Sequence, residues 1–168
     1  MTRVGIVTIS DSRSQGTRAD TTTALIRHLV EEAGYVVGQT TLIPDDAQQI
    51  EATLIALADR HVLPLVLTTG GTGLGPQDVT PEATRRVIQR EVPGLAEVMR
   101  SATAQQSPLA WLSRGIAGLR GRTLIVNLPG SPRAVEECLR VVLPLLPHAL
   151  EMVEGRPHGS DAPVVAGA

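Results

Sequence analysis

Phenylalanine and lysine are absent from this 168-residue sequence, which has one tryptophan, one tyrosine and one cysteine. Without lysine, the chain cannot form a Schiff base or the phosphate-binding loop that depends on a lysine. With so few aromatic rings, it lacks the stacking platforms of proteins that bind single-stranded nucleic acid. A formal net charge of −2 provides no field that would attract nucleic acid. We therefore expect an aliphatic core and no nucleic-acid partner.

The sequence also lacks the features of disulfide, zinc and membrane proteins. The single cysteine, Cys138, excludes an internal disulfide and a multi-cysteine zinc site, and its helical surroundings favour a buried structural thiol. The four histidines show no metal-ligand spacing, and we expect them on the surface or in packing roles. No apolar run approaches the ~20 residues of a membrane span, and the N-terminus has no signal-peptide pattern. We expect a cytoplasmic protein with no membrane partner.

Apolar runs and helical patterns alternate along the chain. Four short apolar runs are typical of buried strands, at residues 4–10, 35–43, 63–69 and 122–129. Strands that alternate with helices predict an α/β fold, a single-domain three-layer sandwich with a mostly parallel sheet and helices on both faces. We assign the domain to residues 1–155. The tail, residues 156–168, is expected to be disordered because it has few core-forming residues.

Local signals indicate where helices and turns begin. Thr80 is expected to cap one helix and Ser131 another, because each precedes a proline at the first helical position. Either Asp45 or Asp46 is enough to cap the helix that follows them, which leaves the other aspartate to be explained. The stretch GLRG, residues 118–121, is predicted to be a tight turn before the fourth strand.

Small polar residues and glycines follow every predicted strand, at residues 10–12, 44–46, 68–73 and 127–132. In an open α/β sheet, ligands bind outside the carboxyl ends of the strands. Unpaired amides and helix dipoles suit anions there, and several such loops facing one crevice would suit a polyphosphate. The glycine cluster in the third loop matches neither the dinucleotide fingerprint nor the P-loop, so a simple tight turn remains the alternative.

Asp78 lies shortly after the glycine cluster. A carboxylate about 4 Å from a phosphate costs roughly 4 kcal/mol at an effective dielectric of about 20. A phosphate site should therefore avoid Asp78 unless a cation lies between the two groups. Mg²⁺ typically binds one or two carboxylates together with substrate phosphates, which would explain this residue. The alternative is that Asp78 caps the turn before Thr80.

Residues 101–135 include no acidic side chain but contain Arg114, Arg120, Arg122 and Arg133. If this stretch faces the strand ends, its arginines could hold an anionic substrate, since guanidinium groups fit phosphate oxygens. The alternative is a solvated surface with scattered arginines.

The blocks TTGGTGLGPQDVTPEA, IPDD, PGLAEVMR and NLPGSP together resemble the molybdenum-cofactor biosynthesis proteins of the molybdopterin adenylyltransferase type. The resemblance extends from Val4 to about Val153. It implies an α/β fold that assembles as a homotrimer or a dimer of trimers. It also implies an activity in which ATP, the co-substrate, and molybdopterin react in the presence of Mg²⁺ to give adenylyl-molybdopterin and pyrophosphate.

The resemblance also implies roles for individual residues. The family's essential acids correspond to Asp45 and Asp78, which are implied to be catalytic and metal-binding. The serine of its LSR segment corresponds to Ser113, a third implied catalytic residue. The implied substrate-binding residues are Ser10, Asp11, Gly70, Gly71, Thr72, Gly73, Asn127, Pro129, Gly130 and Ser131. The acid-free stretch adds Arg114 to that set.

Gln77 departs from the family, in which an arginine often precedes the aspartate of DVTPEA. Arg114 or Arg13 could compensate for the missing cation. The family also includes relatives that bind the pterin and form little or no adenylylated product. The alternative function is therefore a catalytically silent molybdopterin carrier or scaffold of the same fold.

Overall fold

A computed structural model of the chain describes residues 1–155. The strands within this range form one six-stranded sheet. The strands are β1 (Arg3–Ile9), β2 (Val36–Ile43), β3 (Leu65–Thr69), β4 (Arg90–Glu91), β5 (Ala117–Arg120) and β6 (Thr123–Leu128). Their order across the sheet is β2-β1-β3-β6-β5-β4. Strands β2, β1, β3 and β6 are parallel, whereas β5 is antiparallel to both of its neighbours. The prediction of a mostly parallel sheet is confirmed.

Helices cover both faces of this sheet. They are α1 (Asp11–Ser14), α2 (Thr21–Glu32), α3 (Ala47–Ile55), α4 (Thr80–Val87), α5 (Pro93–Ala104), α6 (Pro132–Val142) and α7 (Leu146–Val153). A π-helical turn, Ala56–Arg60, and two 3₁₀ turns, Pro108–Leu112 and Leu143–Leu145, complete the helical segments. Helices α2, α5, α6 and α7 share one hydrophobic core, and α3 and α4 share the other. The predicted three-layer sandwich is confirmed.

The central strands are apolar along their whole length because both of their faces are covered. In β3, Leu65 and Leu67 belong to the core under α6, and Val66 belongs to the core under α3. Successive side chains of a strand point to opposite faces, so a strand between two helical layers needs an apolar residue at every position. This requirement explains the continuous runs that made these strands recognisable.

The sequence predicted four strands, and two more are present at one edge. The stretch predicted as a tight turn, 118–121, is instead largely strand β5, and the turn falls at Gly121 and Arg122. Position 118 of β5 needs a glycine because the backbone of β4 lies very close to it. A Cβ at Gly118 would be 2.8 Å from the carbonyl oxygen of Arg90 on β4. The glycine thus permits the pairing of β4 with β5 and does not mark a turn.

Two of the predicted helix caps are present and one is wrong. Asp46 caps α3, its Oδ1 accepting from the Gln49 amide at 2.8 Å, and Ser131 caps α6. Thr80 lies within the first turn of α4, and Val79 occupies the cap position. The Thr80 hydroxyl is used elsewhere, in a hydrogen bond to the loop after β3. Asp45 is therefore the aspartate that capping does not explain.

The remaining predictions concern single residues and the chain end. Cys138 is buried, as predicted, and burial raises the pKa of its thiol to about 12. Residues 1–155 contain no group of three or more histidine, cysteine or acidic side chains that could hold a metal ion. Within the same residues, no helix combines the length and apolar character needed to cross a membrane. The predicted tail, 156–168, lies outside the described residues.

Candidate active site

The chain order of the sheet creates a crevice between β1 and β3. The helix that follows β1 packs on one face of the sheet, whereas the helix that follows β3 packs on the other. Such a switch in connection direction leaves an opening at the carboxyl ends of the two strands, where open α/β sheets bind their ligands. The loops after β1, β2, β3 and β6 all end at this edge.

Gly70 brings the loop after β3 into contact with the strands on either side. Its φ angle is 100°, in the left-handed region, and a Cβ on it would overlap the carbonyl oxygen of Ile9. On the other side, its amide donates to the Leu128 carbonyl at 3.3 Å. Its Cα lies 3.5 Å from where a Cβ of Gly130 would stand. Glycine at position 70 therefore joins the β1, β3 and β6 loops into one surface.

The carbonyl groups of the glycine loop, residues 70–73, are held by the protein, whereas the amides of residues 71–73 are left free by the described residues. The carbonyls accept from the Thr80 hydroxyl at 2.9 Å, the Thr80 amide at 3.2 Å and the Arg114 amide at 2.8 Å. The amides of Gly71, Thr72 and Gly73 donate to none of the residues that the structure describes. A short run of free amides at the edge of a sheet is an anion-binding arrangement.

Arg114 holds the segment that carries Asp78. Its Nε donates to the Gly73 carbonyl at 2.7 Å, its Nη2 donates to the Asp78 carbonyl at 2.6 Å, and its Nη1 pairs with the Glu82 carboxylate. Three of the five N–H groups are thus used to fix the loop. Arg114 thus holds Gly73 and the Asp78 segment in place. A direct contact between Arg114 and the substrate stays a prediction.

Asn127 ties the site to the core. Its Nδ2 donates to the hydroxyls of Thr68 and Thr84 at 2.9 and 3.0 Å, and its Oδ1 accepts from the Ile116 amide at 3.2 Å. The side chain is 2% exposed, and both amide hydrogens are engaged. Asn127 lines the crevice, yet the structure shows it joining β6 to β3, α4 and the residues before β5.

Asp11 and Asp45 form a reciprocal pair. The Asp11 amide donates to Asp45 Oδ2 at 3.0 Å, and the Asp45 amide donates to Asp11 Oδ1 at 2.9 Å. The two bonds join the loop after β1 to the loop after β2. Asp45 Oδ1 has no hydrogen-bond partner within residues 1–155, and it lies 3.0 Å from where a Cβ of Gly71 would stand. The pair therefore leaves one carboxylate oxygen beside the glycine loop.

Asp78 combines a structural contact with a free oxygen. Its Oδ2 accepts from the Gly75 amide at 2.9 Å, and its own amide donates to the Gly75 carbonyl at 3.0 Å. The side chain thus stabilises the turn before α4, as the alternative interpretation expected. Its Oδ1 has no partner among the described residues. The turn and a ligand can use different oxygens of the same carboxylate.

Asp45 and Asp78 lie close enough to repel each other. Burial raises the pKa of Asp45 above its ordinary value, the hydrogen bond from the Asp11 amide opposes this shift, and the negative charges of Asp11 and Asp78 add to it. Two carboxylates with free oxygens, one of them with a raised pKa, form a place where a bound cation would relieve an unfavourable charge.

The raised pKa gives a prediction about stability. Because the folded protein holds the Asp45 proton more tightly than the unfolded chain does, the ionised carboxylate lowers stability above the folded pKa. The penalty fades as the pH falls and is absent below the ordinary aspartate pKa of about 3.9. We expect Asp45→Asn to have a modestly higher Tm than the wild type at neutral pH and an equal Tm at about pH 3.5. Thermal denaturation at the two pH values measures this, and a gap that does not change with pH would contradict it.

A cavity of about 550 Å³ opens beside the glycine loop, between the sheet edge, α5, α6 and the 3₁₀ turn Pro108–Leu112. One side is polar, with Asp78, Ser113 and free loop amides. The other side is apolar and includes Met99, Leu109 and other aliphatic groups. A mixed cavity of this size suits a ligand that has both a ring system and charged groups.

Arg100, which sequence reasoning missed, lies in this cavity and holds Ser113 in place. Its Nη1 donates to the carbonyls of Ser113 and Gly115 at 3.3 and 2.9 Å. The Ser113 hydroxyl accepts weakly from the Gly115 amide at 3.4 Å. Arg100 lies on α5, and nothing in the residue pattern of that helix shows that this side chain faces the cavity.

The structure brings most of the predicted site residues together. Those that line the cavity are Gly71, Thr72, Gly73, Asp78, Ser113, Asn127, Pro129, Gly130 and Ser131. Ser10, Asp11 and Asp45 lie outside it, on the crevice side toward β1 and β2, and Gly70 and Arg114 serve as supports. The site thus has two parts that meet at the glycine loop.

Of the two alternatives for the acid-free stretch, arginines that face the strand ends are excluded for Arg120 and Arg122. Arg120 pairs in the sheet with Thr123, the first residue of β6, and forms an ion pair with Asp59 at 2.6 Å. It therefore lies at the opposite end of the sheet, together with Arg122 in the next turn. The hairpin between β5 and β6, which the sequence did not reveal, carries both residues away from the site.

The geometry defines an α/β protein with a crevice at the carboxyl edge of its sheet, where loop amides are free of described partners, and with an adjoining cavity of mixed polarity. The family model described as "Probable molybdopterin binding domain" matches residues 5–148. The molybdopterin adenylyltransferase of Helicobacter pylori strain J99 is 37% identical over 156 residues, which are 90% of this chain and 88% of that protein. The chain therefore belongs to the molybdopterin-binding-domain family.

Two further comparisons support this assignment. The molybdenum cofactor synthesis protein cinnamon of Drosophila melanogaster is 42% identical over 152 residues, which are 89% of this chain but 25% of that longer protein. The crystal structure of the molybdopterin biosynthesis enzyme MoaB from Thermus thermophilus shares 54% identity and has a TM-score of 0.88. It covers 94% of this chain and 99% of its own.

Proposed function

We propose that the protein takes part in molybdenum cofactor biosynthesis as a molybdopterin adenylyltransferase that uses ATP and Mg²⁺. The observation that supports this most directly is the position of two carboxylates, Asp45 and Asp78, beside the glycine loop. Each has one oxygen, and the loop has the amides of residues 71–73, without a hydrogen bond to any described residue. The activity in the name of the Helicobacter pylori relative supports the same reaction. The cytoplasm remains the predicted location, and a homotrimer or dimer of trimers remains the predicted assembly.

In the proposed reaction, a phosphate oxygen of molybdopterin attacks the α-phosphorus of ATP. A new P–O bond forms, the bond between the α-phosphorus and the bridging oxygen breaks, and pyrophosphate leaves. The chain's own groups bind and orient the reactants, so the reaction needs no covalent intermediate with the protein. The free amides of the glycine loop and the Ser113 hydroxyl stabilise the charge that develops on the phosphate oxygens.

The residues present fit Mg²⁺ when it is bound together with its nucleotide. Asp45 and Asp78 each offer an oxygen, and Mg²⁺ commonly takes one or two carboxylates with substrate phosphates. When bound there, the ion would neutralise phosphate charge and offset the repulsion between the two aspartates.

The two ligands fit the two parts of the site. The apolar wall of the cavity, with Met99 and Leu109, can hold a flat ring without aromatic stacking. The crevice side, with Asp45, suits a metal-bound polyphosphate. We expect modest discrimination between bases because aliphatic side chains and peptide planes contact the rings.

The rival function is a carrier that binds molybdopterin and passes it on without chemistry. Both functions require pterin binding, and the free carboxylate oxygens favour the enzyme because a carrier of an anionic pterin has no use for them. A third candidate, a general nucleotide-binding regulator, would bind ATP with an affinity that does not depend on the pterin.

The test is pyrophosphate release by the purified protein. We expect release when molybdopterin, ATP and Mg²⁺ are all present, and none when either substrate is omitted or when EDTA removes the metal. A coupled phosphate assay measures the product. Pterin binding without any release of pyrophosphate would favour the carrier, and ATP binding that is indifferent to pterin would favour the regulator.

A further inference from the structure

Arg13 is a buried charge that has no partner among the described residues. The residue is 7% exposed, and its Nε is fully buried with no hydrogen bond. None of its guanidinium nitrogens forms a hydrogen bond or ion pair with any residue in the described range 1–155. Taking a guanidinium out of water without a counter-charge is costly. A side chain of this kind is expected to have a partner that is not part of this chain's described residues.

The backbone around Arg13 is firmly held, so its burial does not result from a loose loop. Its amide donates to Ser10 Oγ at 3.3 Å, and its carbonyl accepts from the Gly16 amide at 3.0 Å. The Ser10 amide in turn donates to the Ile43 carbonyl at 2.9 Å, which joins the segment to β2. The reciprocal bonds between Asp11 and Asp45 fix the same segment at the crevice.

A second buried polar atom without a partner lies at the other end of this segment. Thr22, in the first turn of α2, is fully buried, and its Oγ1 has no hydrogen bond. Its neighbour Thr23, by contrast, bonds to Thr8 at 2.5 Å and to Asp20. The segment from Ser10 to the first turn of α2 thus carries two polar groups that have no partner within the described residues, at the carboxyl edge of the sheet.

We propose that Arg13 binds a phosphate group of the nucleoside triphosphate on the Asp45 side of the crevice. This inference rests on the proposed function. A polyphosphate there meets the charges of Asp11 and Asp45, so a cation beyond the metal is needed. The guanidinium of Arg114 is largely used by the glycine loop, and Arg100 lies on the cavity side. Arg13 is a cation in the segment after β1 whose guanidinium donors are not used by any described residue, and its fork fits phosphate oxygens.

The inference predicts opposite effects of Arg13→Met on stability and on binding. In the free protein, replacing an unpaired buried charge with an apolar side chain should raise the Tm. In the complex, the loss of charge-assisted hydrogen bonds should weaken the binding of Mg²⁺-ATP about tenfold to a hundredfold. Calorimetric titration with Mg²⁺-ATP and with inorganic pyrophosphate measures the binding, and thermal denaturation measures the Tm. The matched control is Arg18→Met, an exposed arginine of the same loop, which should change neither quantity.

Three other outcomes overturn the inference, and a fourth separates it from the proposed function. A lower Tm, or failure of Arg13→Met to fold, together with normal ATP binding by the uncharged polar variant Arg13→Gln, would show that Arg13 is structural. A change in oligomeric state by light scattering, with ATP affinity unchanged, would show that its partner is an acidic group of a neighbouring copy. If the wild type binds neither ATP nor pyrophosphate, the inference fails as well. If it binds ATP through Arg13 but releases no pyrophosphate with pterin, the inference holds and the proposed enzyme activity fails.

Discussion

Asp78→Asn should lower the rate of pyrophosphate release by about 10²–10³ and leave the fold intact. The variant keeps an oxygen that can accept from the Gly75 amide, the bond that closes the turn before α4. It loses the negative charge with which Asp78, in the proposed function, binds the metal ion of the nucleotide complex. The effect should therefore appear in the rate with saturating substrates, while the Tm stays close to the wild-type value. Steady-state pyrophosphate assays and thermal denaturation measure the two quantities.

The control for Asp78→Asn is Asp46→Asn. Asp46 is exposed and caps α3, and asparagine is an equally good cap, so this variant should keep full activity. Pyrophosphate release and pterin binding by Asp78→Asn also separate the enzyme from the carrier. An enzyme variant should still bind molybdopterin but release pyrophosphate slowly, whereas a carrier releases none even as the wild type. Unchanged pyrophosphate release by Asp78→Asn would remove this residue from the site, and loss of pterin binding would indicate a role in the cavity itself.

The parts of the fold that the sequence predicted correctly all depend on signals between residues that are close together in the chain. Strands β1, β3 and β6 are covered on both faces, so their apolar runs are continuous, and the caps at Asp46 and Ser131 depend on residues three positions apart. Such signals are local. They fix the layers of the sandwich, and the layers then place four loops at one edge of the sheet.

The parts that were missed depend on contacts between distant segments. Strand β5 is recognisable through its pairing with β6 and through Gly118, which lies against β4. That pairing decides that Arg120 lies at the far end of the sheet. Likewise, the role of Arg114 is set by a loop 36 residues earlier in the chain. Patterns of residue type along the chain contain no information about these pairs.

The polar groups of the site fall into two sets. One set is hydrogen-bonded within the protein and supports the site, and the other has no partner among the described residues. Asn127, Arg114 and the hydroxyl of Thr80 use their donors within the protein. The amides of residues 71–73 and one oxygen on each of Asp45 and Asp78 have no such use within the described residues. A substrate site needs both kinds of group, because reactive groups must be held in place by residues that are themselves fixed. The sequence identified members of the two sets without distinguishing them.

Gly70→Ala should destabilise the protein by about 3 kcal/mol or more, which combines strain at a left-handed φ with steric overlap. The φ of 100° is unfavourable for any residue with a Cβ, and the new methyl group would meet the Ile9 carbonyl oxygen, which is backbone and cannot rotate away. For a domain of this size, the loss corresponds to a fall in Tm of about 6–12 °C. Chemical denaturation with equal m-values for both proteins measures the change in unfolding free energy.

The matched control is Gly94→Ala, in the first turn of α5. A Cβ at Gly94 has no atom within 4 Å, and its backbone is helical, so alanine should be neutral or stabilise by up to about 1 kcal/mol. Because Gly70 joins the loops after β1, β3 and β6, Gly70→Ala should also reduce pyrophosphate release at temperatures where the variant is still folded. If Gly70→Ala were as stable as Gly94→Ala, the three loops would not form the single surface on which the crevice depends.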